Sequence, residues 1–91
     1  MIVKRRGKLE IIADILRSIQ NKKGNIKPTH LLYKSNLSHA KLKEYVDILK
    51  EKGMIEEQEV KGRKMFIMKD QGHKFLIEFE RIKEFSDSFG L

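Results

Sequence analysis

The stretch PTHLLYKSNLSHAKLKEYVDILKEKG, Pro28 to Gly53, limits the possible folds more than any other part of the chain. Pro28 has a fixed φ that suits the first turn of a helix. Leu31 and Leu32, with Leu37 in the turn at Asn36-Leu37, supply apolar contacts before the second helix. Ser38 follows, a residue whose hydroxyl can accept from the free N–H groups of a helix's first turn. Leu42, Tyr45, Val46 and Leu49 then recur at helical spacing, so one face of this second helix is buried and the other is presented. Gly53 closes it. Two helices joined this tightly, the second presented, form a device that enters the DNA major groove. The same shape also serves proteins that bind only other proteins, so the flanking sequence must discriminate.

Upstream, Met1 to Lys8 reads as a basic arm carrying Lys4, Arg5, Arg6 and Lys8 and no acid. It is either a solvated tail or a strand of charge laid along phosphates or into a minor groove. Leu9 to Gln20 is predicted helical, with Leu9, Ile12, Ile15, Leu16 and Ile19 as its apolar stripe and Ile11 and Ala13 at the margins. Asn21 to Asn25, with Gly24, stops that helix. Asn25 to Lys27 has room for a short strand that joins a later sheet.

Downstream, Met54 to Val60 and Arg63 to Met68 read as two strands joined across Lys61-Gly62. The first strand carries Glu56, Glu57 and Glu59, and the tip carries Lys61, Arg63 and Lys64. Asp70 to about Ser88 is a last helix with Phe75, Leu76, Phe79, Ile82 and Phe85 apolar. Nineteen helical residues extend roughly 28 Å, and the part beyond Phe79 is expected to overhang so small a core. A row of exposed phenylalanines is unusual in a soluble monomer. Phe75, Phe79, Ile82 and Phe85 are therefore expected to pack against a second copy; the alternative is that they complete the monomer core.

Ninety-one residues suit one domain, and a core of that size gains from a dimer interface. The formal charge of +7 favours polyanion partners through counterion release at phosphates, against the plainer possibility of a basic but inert surface. There is no cysteine, hence no disulfide, thiolate zinc site or cysteine nucleophile. His30, His39 and His73 lack metal-ligand spacing. No glycine-rich phosphate loop follows a strand, and the acids lack the setting of a carboxylate pair in a cleft. No cofactor, metal, small-molecule substrate or enzymatic activity is expected. Neither a membrane span nor a signal-peptide region is visible, which sets the expectation of a cytoplasmic protein.

The order of elements is that of a winged helix, with Lys61 to Lys64 as the wing tip. Three segments carry a resemblance: RRGKLEIIADIL, LLYKSNLSHAKLKEYVDILKEKGMIEE and KDQGHKFL, the most specific piece being Tyr33 to Ser38. In these the chain resembles the archaeal winged-helix predicted transcriptional regulators. Those in turn are similar to the small archaeal winged-helix DNA-binding proteins of about ten kilodaltons. The resemblance spans about Lys4 to Ile82 and implies a homodimer through an antiparallel C-terminal coiled coil. Two departures stand out. Lys69 occupies the position where that family has a capping threonine or serine, leaving Asp70 as substitute, and the last helix is shorter than the family's coiled coil.

The expected fold is mainly α with a small β-hairpin: a winged helix-turn-helix plus a C-terminal dimerisation helix. The expected partner is double-stranded DNA, in the role of a regulator or a low-specificity chromatin component. Ser38, His39, Lys41 and Lys43 would enter the major groove, and Lys61, Arg63 and Lys64 would meet phosphates beside it. Lys34 (with Lys27 and His30) and the arm residues Arg5 and Arg6 would add backbone contacts. Ala40, Glu44, Asp47 and Glu51 point most directly outward, so the presented face is mixed in sign. The rival reading is a protein-interaction module that uses Glu44, Asp47 and Glu51 as an acidic docking face. RNA is the weaker alternative, because no aromatic residue sits on the basic surface to stack bases.

Overall fold

A computed structural model describes residues 6–91, so Lys4 and Arg5 of the basic arm lie outside the described residues. The order is α1 (Lys8–Gln20), β1 (Asn25–Ile26), α2 (Pro28–Ser35), α3 (His39–Glu51), β2 (Ile55–Val60), β3 (Arg63–Met68) and α4 (Asp70–Ser88). The strands form one antiparallel sheet in the order β1-β3-β2. Three helices over a three-stranded sheet, with a hairpin beside the third helix, make a winged helix; α4 is the addition. No helix among the described residues is long and apolar enough to cross a membrane.

Local chemistry explains most boundaries. Glu10 of α1 accepts from the Gly7 N–H at 3.3 Å, which places an acid at the positive end of the helix. After Gln20 the chain turns back through Lys23 and Gly24, both at positive φ. The Gly24 N–H returns to the Ile19 carbonyl at 3.0 Å, satisfying one of the carbonyls a helix end leaves open. Gly24 also accepts from Met68 at 2.8 Å, which delivers β1 to the edge of β3. Asn36 ends α2 in the left-handed conformation, which asparagine tolerates. Ser38 caps α3 as its position predicts: its Oγ accepts from the Lys41 N–H at 3.1 Å.

The core joins Ile12, Ile15, Leu16 and Ile19 of α1 to Leu31, Leu42, Val46 and Leu49 of the helix-turn-helix. Ile26, Ile55, Phe66 and Met68 of the sheet and Leu76 of α4 complete it. Each such side chain, fully buried, contributes about 1.5–3 kcal/mol over its exposed state. β3 reads as almost continuously apolar because it serves both faces. Phe66 and Met68 are buried, while Met65 and Ile67 are half-buried on the outer face. Among the described residues Ser35 is the one buried polar residue. It donates to the Leu32 carbonyl at 3.1 Å and accepts from the Leu37 N–H at 3.3 Å, pinning the turn between α2 and α3.

Three expectations need correction. Leu9 is assigned by periodicity to the apolar stripe, yet it is 57% exposed, because the first turn of α1 projects past the core; Ala13, read as marginal, is fully buried. Asp70 does not cap α4. Lys69 holds the cap position without a side-chain hydrogen bond, and Asp70 is the first helical residue, where its charge meets the dipole. The arm does not extend to Lys8, which is helical, and Arg6 is tied down. Its guanidinium donates to Asp14 of α1 at 3.0 Å and to the Ser35 carbonyl at 3.0 Å, placing a cation at the C-terminal end of α2.

Candidate nucleic-acid interface

α3 presents its outer surface between the start of α2 and the hairpin. The three elements enclose a groove of about 270 Å³. Leu32, Leu42, Val46 and Phe66 form its apolar floor, and His39, Lys43, Asp47 and Lys50 of α3 form one wall. Pro28 and Thr29 at the head of α2 stand at one end, and Glu57 and Lys64 on the inner face of the hairpin at the other. The head of α2 has no acid in its first turn and no side-chain cap, so its open N–H groups add a positive end to the rim.

His39 and Lys43 therefore line one groove with Lys64 although more than twenty positions separate them in sequence. Lys41 does not join them. Two residues apart on a helix means about 200° of rotation, so Lys41 lies on the other flank, where it pairs with Glu44 at 3.4 Å. Lys43 pairs with Asp47 at 3.2 Å, one turn along α3. Ser38 is exposed at the head of α3, its oxygen engaged in the cap. Lys50 and Glu57 were not marked by sequence reasoning. They are seven residues apart across the Gly53 turn and meet at 3.4 Å, and Glu57 also meets Lys64 at 3.6 Å. No local pattern announces a pair formed between a helix and the strand after it.

The wing bases divide between two faces. Lys64 points to the groove. Lys61 and Arg63 border a separate hollow on the outer face of the sheet with Val60, Met65, Ile67 and Asn25. Lys61 and Gly62, the two residues of the hairpin turn, have φ of 53° and 75°. Both signs are positive, as in the primed turn that suits two-residue hairpins. A lysine held there carries a conformational cost that asparagine or glycine would largely avoid. Among the described residues Lys61, Arg63, Lys27 and Lys34 have no carboxylate partner. Within the groove the charge is nearly balanced, with Lys43, Lys50 and Lys64 set against Asp47 and Glu57. Glu56 faces the other way and pairs with Lys69 at 3.1 Å. Its carboxyl is held below the ordinary value, first by a hydrogen bond from Gln58 and then by Lys69.

The last helix divides in the middle. Phe75 and Phe79 are half-buried against the core and stack with ring centres 6.0 Å apart. Arg17 of α1 lies over the Phe79 ring at 5.6 Å and hydrogen-bonds Glu80, fastening this half of α4 to α1. Beyond that point Ile82 is 64% and Phe85 65% exposed, and the Phe89 ring lies tilted against that of Phe85, centres 4.9 Å apart. The overhang expected beyond Phe79 is present. Two of the four residues expected at an interface pack on the core, and two face solvent. Among the described residues no three His, Cys, Asp or Glu side chains gather closely enough to hold a metal ion.

Comparison with known proteins matches this architecture. A family model described as winged helix-turn-helix matches residues 5–87. Sso10a-2, a DNA-binding protein from Sulfolobus solfataricus, has a similar structure, with a TM-score of 0.78 at 21% identity over 92% of this chain and 85% of that one. F93 from STIV, a winged-helix DNA-binding protein, is similar with a TM-score of 0.73 at 15% identity over 88% of this chain and 92% of that one. F-93 of SSV1 is similar with a TM-score of 0.67 at 18% identity, covering 97% and 95%. None of the curated protein sequences matches.

Proposed function

Because the chain belongs to the winged helix-turn-helix family, we propose that it is a non-enzymatic, cytoplasmic protein that binds duplex DNA through α3 and the wing. The supporting observation is the convergence of His39 and Lys43 on α3, Lys64 on the wing and the open head of α2 around one groove. The start of α3 enters the major groove, where only the first turns of a presented helix usually reach base edges. Lys61 and Arg63, both exposed and without a carboxylate partner among the described residues, contact phosphates beside it. Affinity comes mainly from phosphates, because Lys41 and Lys43 of α3 are paired with acids one turn away; sequence selectivity is correspondingly modest. The protein acts as a transcriptional regulator or as a low-specificity chromatin component. It does so as a homodimer joined through the outer half of α4, where Ile82 and Phe85 lie exposed.

The competing reading treats the exposed Glu44, Asp47 and Glu51 as an acidic surface for another protein. One titration separates the two: duplex DNA, single-stranded RNA and buffer alone, followed by fluorescence anisotropy. The proposal expects the duplex to bind more tightly than the RNA. Absence of duplex binding, with a protein partner retained on Glu44, Asp47 and Glu51, would replace it with the rival.

A further inference from the structure

The outer face of the sheet carries a second concavity, apart from the groove. Strand alternation makes its floor: Met65 and Ile67 point away from the core in which Phe66 and Met68 are buried, and Val60 pairs with Arg63 across the hairpin. β1 pairs with β3 only opposite Ile67 and Phe66, so no strand flanks Met65 or Arg63 on that side. The hollow measures about 360 Å³; Val60, Met65 and Ile67 make its apolar part, and Asn25, Lys61 and Arg63 its polar part. That volume falls among those of small-molecule sites, roughly 300–1,000 Å³. Its charge has one sign. Lys61 and Arg63 have no carboxylate partner among the described residues. The acids of the hairpin are engaged or turned away: Glu57 holds Lys50 and Lys64 in the groove, Glu59 alternates onto that same face, and Glu56 holds Lys69. Lys61 moreover keeps its place in the turn at a φ of 53°, so its ammonium is held beside the hollow at a conformational cost.

We propose that this hollow binds a small carboxylic acid with an apolar tail, and that the bound acid weakens the hold on duplex DNA. The carboxylate sits on Arg63 and Lys61, and the tail covers Val60, Met65 and Ile67. Each part of that ligand answers a feature of the hollow. A guanidinium offers two parallel N–H donors to the two oxygens of a carboxylate, a charge-assisted arrangement stronger than neutral hydrogen bonds. The tail removes apolar surface from water, with Val60 alone 43% exposed in the empty state. A bare inorganic anion leaves that surface wet, and a neutral hydrocarbon leaves two cations unused. The binding site stands on the hollow itself, whereas the effect on duplex rests on the duplex-binding reading. Arg63 and Lys61 are the wing's phosphate contacts in that reading, so carboxylate and phosphate compete for the same two cations. Linkage makes the effect mutual: the acid weakens the duplex by the factor by which the duplex weakens the acid.

The test is a methyl NMR titration of the full chain with three probes at constant ionic strength: hexanoate, 1-hexanol (the tail without the charge) and acetate (the charge without the tail). Hexanoate should shift the Met65 and Ile67 methyls saturably and bind about tenfold more tightly than either control. Lys61→Gln with Arg63→Gln should erase its advantage over hexanol, while an unmoved Met68 methyl shows that the core is intact. The absence of a saturable shift overturns the proposal, and so does hexanol binding as tightly as hexanoate. Duplex anisotropy then reads the second part. Saturating hexanoate, against acetate, should weaken duplex binding about fivefold in the wild type and less than about twofold in the double variant. An unchanged duplex affinity with the hollow occupied overturns the competition. A duplex that does not bind even without hexanoate removes the functional reading and the competition with it, and the methyl titration by itself then upholds or overturns the site.

Discussion

Lys50 of α3 and Glu57 of β2 lie 3.4 Å apart, and Glu57 also takes Lys64 of β3 at 3.6 Å. One carboxylate thus bridges the presented helix and the wing, and it also withholds two lysines from any phosphate in the groove. Replacing Glu57 by Gln should tighten duplex binding by about three- to fivefold and steepen its salt dependence, since an interfacial negative charge is lost and two cations are freed. Folding stability should change by less than about 1 kcal/mol, because these are solvent-exposed pairs. Anisotropy and thermal melts on the same variant check both parts.

Lys43 and Lys41 differ by two positions in sequence and by a flank of the helix in space. Lys43→Ala removes a base from the groove and should weaken duplex binding by about fivefold, on the order of 1 kcal/mol. Lys41→Ala removes a base paired with Glu44 on the other flank and should cost less than about twofold. Equal losses would place the contact surface elsewhere on α3.

Lys61 sits at the wing tip with a positive φ that lysine seldom adopts. Lys61→Asn supplies a residue suited to that turn. The melting temperature should rise, by an amount equivalent to about 1 kcal/mol or less, while duplex affinity falls about two- to threefold with the loss of a phosphate contact. Parallel melting and binding curves read this opposition directly.

Much of the architecture was legible because its signals are local. Pro28, Ser38 and Gly53 mark helix ends through their own backbone or hydroxyl chemistry, and the apolar spacing of α3 identifies its buried face. Even the two-residue strand β1 could be anticipated from the room left between Gly24 and Pro28. What escaped was non-local. Leu9 keeps perfect helical spacing, but nothing in the sequence says that the core ends one turn short of it. Arg6 looks like part of a free arm until folding brings Asp14 and the Ser35 carbonyl beside it. Arg63 and Lys64, adjacent in sequence, alternate between opposite faces of the wing. The groove itself joins α2, α3 and the hairpin, and its Lys50–Glu57–Lys64 bridge depends on how these elements pack. Charge counting along the chain cannot reveal which lysines are already paired.

The two halves of α4 should respond differently to substitution. Phe75→Ala removes a half-buried ring from the core and should cost about 2 kcal/mol of stability, below the ~3–5 kcal/mol of a fully buried phenylalanine. Ile82→Glu with Phe85→Glu touches only exposed positions. It should leave the fold and its circular dichroism intact while shifting sedimentation from dimer to monomer. A wild-type protein that sediments as a monomer would confine α4 to a role within one chain.

The central claim is that α3 and the wing bind duplex DNA chiefly through its phosphates, and the most direct measurement is duplex affinity across a salt series starting near ~50 mM. Neutralising four or more phosphates per protomer predicts a slope of log affinity against log salt of about −3.6 or steeper, shallower in a Lys43→Ala, Lys64→Ala double variant. Undetectable binding at the lowest salt, or an affinity indifferent to salt, would contradict the claim.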